Sequence, residues 1–255
     1  MQHLLRKSLV SILTLVAVAI IPGGCAQPTL PGDYGDSVKF SDSVETNAQP
    51  NSSQIANLTL TKSDGSSVKI GDLASGKNVL LVVSRGLVGS LPTAANNAAA
   101  NNTAADDTAA NNTAANNTTA DDAGAMPAGG NSFCIYCSTQ TSRLVANYEK
   151  FKKRNTEVVV IFPVVDSSNA AELQNFAAKV QGAGKTSDDF PFPIVLDVEL
   201  MVVDALGIRD DLSKPASYIF DSQGQLRFGY VGQSISDRPS VQALLDQLDR
   251  INQPR

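Results

Sequence analysis

The stretch that decides the fold is Phe133-Cys134-Ile135-Tyr136-Cys137-Ser138-Thr139-Gln140. If a helix starts at Cys134, the Cys-x-x-Cys spacing brings two sulfurs within bonding reach across one turn. That is the geometry for making and breaking a disulfide reversibly. The residues from Ser138 to Arg154 read as that helix. Leu144, Val145, Tyr148 and Phe151 recur at helical spacing, while Arg143, Glu149, Lys152 and Lys153 are expected to face water.

Working outward, the flanking segments read as strands. Val79 to Val83 is a continuous apolar run, and so is Glu157-Val158-Val159-Val160-Ile161-Phe162-Pro163. Such runs fit strands buried on both faces. Ala170 to Val180 reads as a helix with Leu173, Phe176 and Val180 on one side. Phe192 to Asp197 is a strand, and Val198 to Leu206 a short helix stopped by Gly207. Ala216 to Phe220 and Leu226 to Val231 flank the turn Asp221-Ser222-Gln223-Gly224. Ser240 to Ile251 closes the chain as a helix. The order is β-α-β-α-β-α-β-β-α, one α/β domain with helices covering a central mixed sheet. Upstream, Ile55 to Leu60 and Val68 to Ile70 alternate around Lys62-Ser63-Asp64-Gly65-Ser66, which predicts an N-terminal β-hairpin extension.

Two regions carry no core pattern. Residues 26 to 50 are rich in Pro, Gly, Ser and Asp and read as a disordered tether. Residues 92 to 130 carry a five-residue repeat, Asn96-Asn97-Ala98-Ala99-Ala100 onward to Asp121-Asp122-Ala123-Gly124-Ala125. A period of five matches neither helix nor strand, and the repeat contains no large apolar side chain. The expectation is a disordered insert within a domain spanning 51–252.

The first 25 residues have the parts of a secretory leader. Arg6 and Lys7 supply the positive region, Leu9 to Ile21 the apolar one, and Pro22-Gly23-Gly24-Cys25 the end. The apolar run is shorter than the ~20 residues of a comfortable membrane span. Cys25 after two glycines resembles a bacterial lipobox, which implies acylation at Cys25 and an anchored, extracytoplasmic protein. Pro22 stands where leucine is usual. An ordinary secreted protein is the alternative.

Composition removes whole classes of chemistry. The only histidine is His3, inside the leader, so the processed chain has no imidazole for hydrolysis, zinc ligation or general acid–base work. Two remaining cysteines are too few for a four-thiolate site, so no metal and no cofactor are expected. The absence of tryptophan and the formal charge of −5, which becomes −7 without Arg6 and Lys7, argue against nucleic acid as a partner.

With these elements in place the chain resembles the thioredoxin-fold redoxins, and especially the AhpC/TSA, peroxiredoxin-like branch. The resemblance is carried by Val79–Ser84, FCIYCSTQ at 133–140, VVVIFPV at 158–164, FPIVLD at 192–197 and SKPASYIFDSQGQL at 213–226. It implies a thioredoxin-like fold and an oxidoreductase with Cys134 as nucleophile and Cys137 as resolving thiol. It also implies a cis-proline facing the pair, a position that Pro215 matches. A helix N-terminus at Cys134 would favour a thiolate there, and Phe133 and Tyr136 would shape the surface around it.

Peroxiredoxins carry Pro-x-x-x-Thr/Ser-x-x-Cys. Here Pro127 is seven residues before Cys134, and Asn131 takes the Thr/Ser place. The arginine that peroxiredoxins set beside the thiolate is replaced by Pro215. Arg85, at the end of a core strand, is the candidate substitute. These features imply a thiol–disulfide oxidoreductase acting on protein disulfides or thiols with a thiol electron donor. A thiol peroxidase with antioxidant activity, with Cys134 as its peroxidatic cysteine, and a non-catalytic tethered scaffold remain as alternatives.

Overall fold

The computed structural model describes residues 29–62, 64–73, 76–86, 133–167 and 171–253. The leader, Cys25, Pro127, Asn131 and the repeat at 92–130 lie outside them. Among the described residues no helix is long and apolar enough to cross a membrane.

Seven strands form one mixed sheet: β1 (Thr59–Lys62), β2 (Ser67–Lys69), β3 (Asn78–Val83), β4 (Thr156–Val164), β5 (Ile194–Val198), β6 (Ala216–Phe220) and β7 (Leu226–Val231). Their spatial order is β2-β1-β5-β4-β3-β6-β7. The three central strands, β5, β4 and β3, run parallel, and β6 returns antiparallel beside β3, with Val83 opposite Ala216. The helices are α1 (Ser52–Ala56), α2 (Ile70–Leu73), α3 (Ile135–Ala146), α4 (Tyr148–Lys152), α5 (Glu172–Gln181), α6 (Met201–Leu206) and α7 (Val241–Ile251). The arrangement is α/β and thioredoxin-like, as expected.

Every residue of β3 is buried. Period-two alternation sends its side chains to two cores. Leu80 and Val82, with Val158, Val160 and Phe162 of β4, meet α3, α4, α5 and α7. Val79, Leu81 and Val83, with Val159 and Ile161, meet α1, α2 and α6 on the other face. Each such side chain, removed from water, contributes roughly 1.5–3 kcal/mol before entropy is counted. The sheet therefore holds the C-terminal end of β3 and the start of β6 in fixed register, and the cysteines sit at that edge.

Several expectations need correcting. Ile55 belongs to a helix, not a strand: the Asn51 side chain accepts from the N–H groups of Ser53 and Gln54 and caps α1. The hairpin survives only as β1 and β2, and Ile70 starts α2. The helix expected from Ser138 to Arg154 starts at Ile135 and breaks at Asn147. The side-chain amide of Asn147 donates to the Arg143 carbonyl at 2.8 Å, competing with the backbone there. Residues 198–200 are not helical, because Glu199 and Leu200 take left-handed conformations (φ 62° and 61°) before α6 begins. Buried Asp197 then caps it, accepting from Val202 and Val203 N–H at 2.9 Å each.

The segment from residue 29 to 50 is not a free tether. Val38 and Val44 are buried. Arg143, expected to face water, donates to Asp33 and to the carbonyls of Gly35 and Val38, and its guanidinium lies 5.2 Å from the centre of the Phe40 ring. A bridge joins Ser41 to Pro239. Few apolar anchors suffice because the segment's backbone groups pair with the domain.

Candidate active site

The first turn of α3 carries the pair. Cys134 is its N-cap, with φ −54° and ψ 123°, and Ser138 N–H reaches the Cys134 carbonyl at 3.0 Å. Both cysteines are free thiols and both are buried, at 5% and 3% exposure. Between them Ile135 is 38% exposed. Phe133 turns inward, its ring 5.4 Å from that of Phe176 and 6.3 Å from that of Phe162, and Tyr136 packs half-buried against the same core. Ile135, rather than those aromatic side chains, is the exposed apolar group at the pair.

The donors converge on the inner sulfur. Cys137 Sγ accepts from the Arg85 backbone N–H at 3.4 Å and from Arg238 Nη2 at 3.2 Å. It also takes a hydrogen bond from the Cys134 thiol. That bond, the charge of Arg238 and the Arg85 N–H hold Cys137 well below the usual thiol range, against the opposing effect of burial. The hydrogen bond to Cys137 and burial push the Cys134 thiol up. The fixed cation and the amide donor thus lie at Cys137 and not at Cys134. The helix N-terminus was expected to favour a thiolate at Cys134, whereas the charged donor of the site stands at Cys137. The side-chain donors reach residue 137, and the free N–H groups of the first turn do not outweigh them.

Arg85 does not serve as expected. Its guanidinium turns to Asp211 at 3.3 Å and only its main chain faces the sulfur. The cation beside the thiolate is Arg238, which the sequence reading missed. It lies between β7 and α7, is 1% exposed, and also donates to Gln140 Oε1 at 2.6 Å and to the Ile235 carbonyl at 3.0 Å. Arg238 carries no local signal, being a single basic residue in a polar loop. Gln140, one turn beyond Cys137 on α3, was quoted in the motif without a role.

Pro215 is buried where the chain enters β6, at the same edge as Ser84 and Arg85. Its carbonyl accepts from Gly232 N–H at 2.9 Å. The implied cis bond is not found, since no peptide bond among the described residues is cis. Pro215 continues directly into the extended β6 ladder, where Ala216 pairs with both Val83 and Val231. A side chain at Gly232 would press on Pro215 Cγ and the Asp237 carbonyl, so this glycine lets Pro215 approach the loop that carries Arg238.

Among the described residues no three His, Cys, Asp or Glu side chains gather as a metal site. What the arrangement offers is two buried sulfurs, one of them against a fixed cation. That suits chemistry in which one sulfur leaves or attacks as a thiolate.

No curated protein sequence matches the chain. Similar solved structures include a mitochondrial 2-Cys peroxiredoxin from Plasmodium falciparum, at 15% identity over 82% of this chain and 94% of that one, with a TM-score of 0.46. Peroxiredoxin Q from Xanthomonas campestris is similar at 13% identity over 81% and 98%, with a TM-score of 0.48. A secreted disulfide oxidoreductase from Mycobacterium tuberculosis is similar at 12% identity over 78% and 98%, with a TM-score of 0.45. Residues 97–228, just over half of the chain, match the AhpC/TSA family. The chain therefore belongs to the AhpC/TSA family of thiol-dependent oxidoreductases.

Proposed function

We propose that the protein is a thiol–disulfide oxidoreductase that cycles Cys134 and Cys137 between dithiol and disulfide, anchored outside the cytoplasm by acylation at Cys25. The observation that carries this reading is the pair of buried free thiols at the first turn of α3, with Arg238 3.2 Å from the inner sulfur. In the exchange, Cys134 Sγ bonds to one sulfur of a protein disulfide while the other sulfur leaves with a proton. Cys137 then attacks Cys134 Sγ and releases the second substrate sulfur. The substrate gains two electrons and two protons, one from the Cys134 thiol and one from solvent, and the protein is left with the Cys134–Cys137 disulfide. The steps are reversible: the disulfide form is reduced again by a thiol donor or by a substrate dithiol run through the same exchange.

The test is equilibration of the full-length protein in glutathione redox buffers, with trapping of free thiols and peptide-resolved mass spectrometry. The reading predicts a reversible Cys134–Cys137 disulfide. In Cys137→Ser it predicts a glutathione adduct at Cys134, and in Cys134→Ser it predicts no intramolecular disulfide. Absence of a reversible disulfide in the unaltered chain would rule it out.

A second reading, thiol peroxidase, is favoured by one feature. A guanidinium on a thiolate also suits attack on a peroxide, with Cys137 becoming a sulfenic acid as hydroxide leaves and Cys134 then condensing with loss of water. Hydrogen peroxide consumption that requires Cys137 and outpaces disulfide exchange would promote this reading.

A further inference from the structure

We infer that the Cys134–Cys137 couple is an oxidising one: the Cys137 thiolate is the counter-ion of the buried Arg238, and its disulfide form takes electrons from dithiol substrates. This rests on the exchange reading above and gives it a direction.

Arginines elsewhere in the described residues show what Arg238 lacks. Arg85, Arg143, Arg154, Arg209 and Arg227 each pair with an aspartate, and all five side chains are 20% or more exposed. Arg238 is 1% exposed, and no carboxylate lies within ion-pair distance of it among the described residues. Its partners are a carbonyl oxygen, an amide oxygen and Cys137 Sγ. A buried cation without an anion is costly, and here only the Cys137 thiolate among these partners supplies negative charge. Forming the disulfide neutralises that sulfur and leaves Arg238 buried among neutral acceptors. The dithiol form therefore gains an ion pair that the disulfide form cannot have. A couple whose reduced form is selectively stabilised is an oxidant.

The same contact selects the sulfur that leaves. A substrate thiolate attacks Cys134 Sγ, the sulfur at the helix N-cap beside exposed Ile135. The Cys134–Cys137 bond breaks and Cys137 departs as a thiolate onto Arg238 and the Arg85 N–H. The second substrate thiol loses its proton and attacks the mixed disulfide at the substrate sulfur. Cys134 leaves and is protonated. The substrate dithiol has become a disulfide, two electrons reside on the protein, one proton sits on Cys134, and one is released. An acceptor disulfide of higher potential reoxidises the pair. In the dithiol form the groups facing Cys137 are the Cys134 thiol, the Arg238 guanidinium and the Arg85 amide.

The experiment measures the equilibrium constant between dithiol and disulfide forms of the full-length chain in glutathione buffers. Arg238→Met, which keeps bulk but removes charge, is expected to move it at least tenfold toward the disulfide. For a two-electron couple that is about 30 mV more negative. Arg238→Lys should move it back toward the unaltered value. Gln140→Glu tests the idea without touching the arginine. A carboxylate 2.6 Å from the Arg238 nitrogen gives it a permanent anion in both redox states, so it too should shift the equilibrium toward the disulfide. If Arg238→Met fails to fold, the Gln140→Glu result decides alone. An unchanged constant, or a shift toward the dithiol, overturns the inference while leaving the exchange reading intact. If the unaltered chain forms no reversible disulfide, both are overturned.

Discussion

Arg238 Nη2 lies 3.2 Å from Cys137 Sγ although 101 residues separate them in the chain. The contact exists because β6 and β7 return beside β3 and bring the loop before α7 onto the first turn of α3. It sets a buried cation against one of the two thiols and not the other.

The first prediction concerns that charge. In the reduced protein the ultraviolet absorbance of a thiolate should persist well below the ordinary thiol range of about 8.5. It should belong to Cys137, vanishing in Cys137→Ser and surviving, at higher pH, in Cys134→Ser. Arg238→Met should move the titration up by roughly one pH unit or more. A titration indistinguishable from that of a free thiol would show that Arg238 has no electrostatic hold on the sulfur.

Stability should depend on pH differently in the two redox states. Cys137 is depressed in the folded protein, so the unfolded chain binds more protons until pH rises past about 8.5. Its contribution is complete above that value and is lost as pH falls through the folded value. Cys134 is raised, so above about 8.5 the unfolded chain ionises where the folded one does not, and stability falls. Urea melts of the reduced protein should therefore show stability rising from pH 6 to about 8.5 relative to the disulfide form, then declining. Parallel curves for the two forms would contradict the proton arrangement.

Asp197 should be structurally costly to remove. It is 1% exposed, and its two oxygens accept from Val202 and Val203 N–H at 2.9 Å. Burial raises its carboxyl, while these two bonds oppose the shift. Asp197→Ala leaves two buried donors without partners, each worth about 1–3 kcal/mol. The expected loss is about 2–4 kcal/mol by denaturant unfolding, with the redox equilibrium of the cysteines unchanged. Loss of less than about 1 kcal/mol would mean that water replaces the carboxylate.

The central strands were legible because burial on both faces leaves a continuous apolar run, as in Val79–Val83 and Val158–Phe162. The helix after Cys134 and the closing helix were legible from their apolar spacing. What escaped the reading depends on single polar groups. Asn51 starts a helix where alternation suggested a strand, and Asn147 breaks one through its own side chain. The Cys-x-x-Cys pair announced itself by spacing alone. Arg238 did not, because a long-range contact to a sulfur leaves no periodic trace. The same holds for residues 29–50. Their composition is that of a linker, yet Val38, Val44 and a set of backbone hydrogen bonds hold them down.

That N-terminal segment ties the last prediction to the site. Ser41 N–H donates to the Arg238 carbonyl at 2.9 Å, and Ser240 N–H donates to the Ser41 carbonyl at 2.8 Å. The loop holding Arg238 is thus clamped by a strip of chain that Arg143 fastens to α3. Charge-assisted bonds of this kind contribute about 1.5–3 kcal/mol each when partly buried. Arg143→Ala should speed amide exchange at Val38 and Ser41 and leave the protected amides of β4 untouched. It should lower global stability by about 1–3 kcal/mol. Because the released strip no longer fixes the Arg238 backbone, the Cys137 thiolate should also titrate at higher pH than in the unaltered chain, in the direction of Arg238→Met but by less. Faster exchange with no change in the thiolate titration would separate the clamp from the active site. It would show that Gln140 and the Ile235 carbonyl suffice to aim the guanidinium.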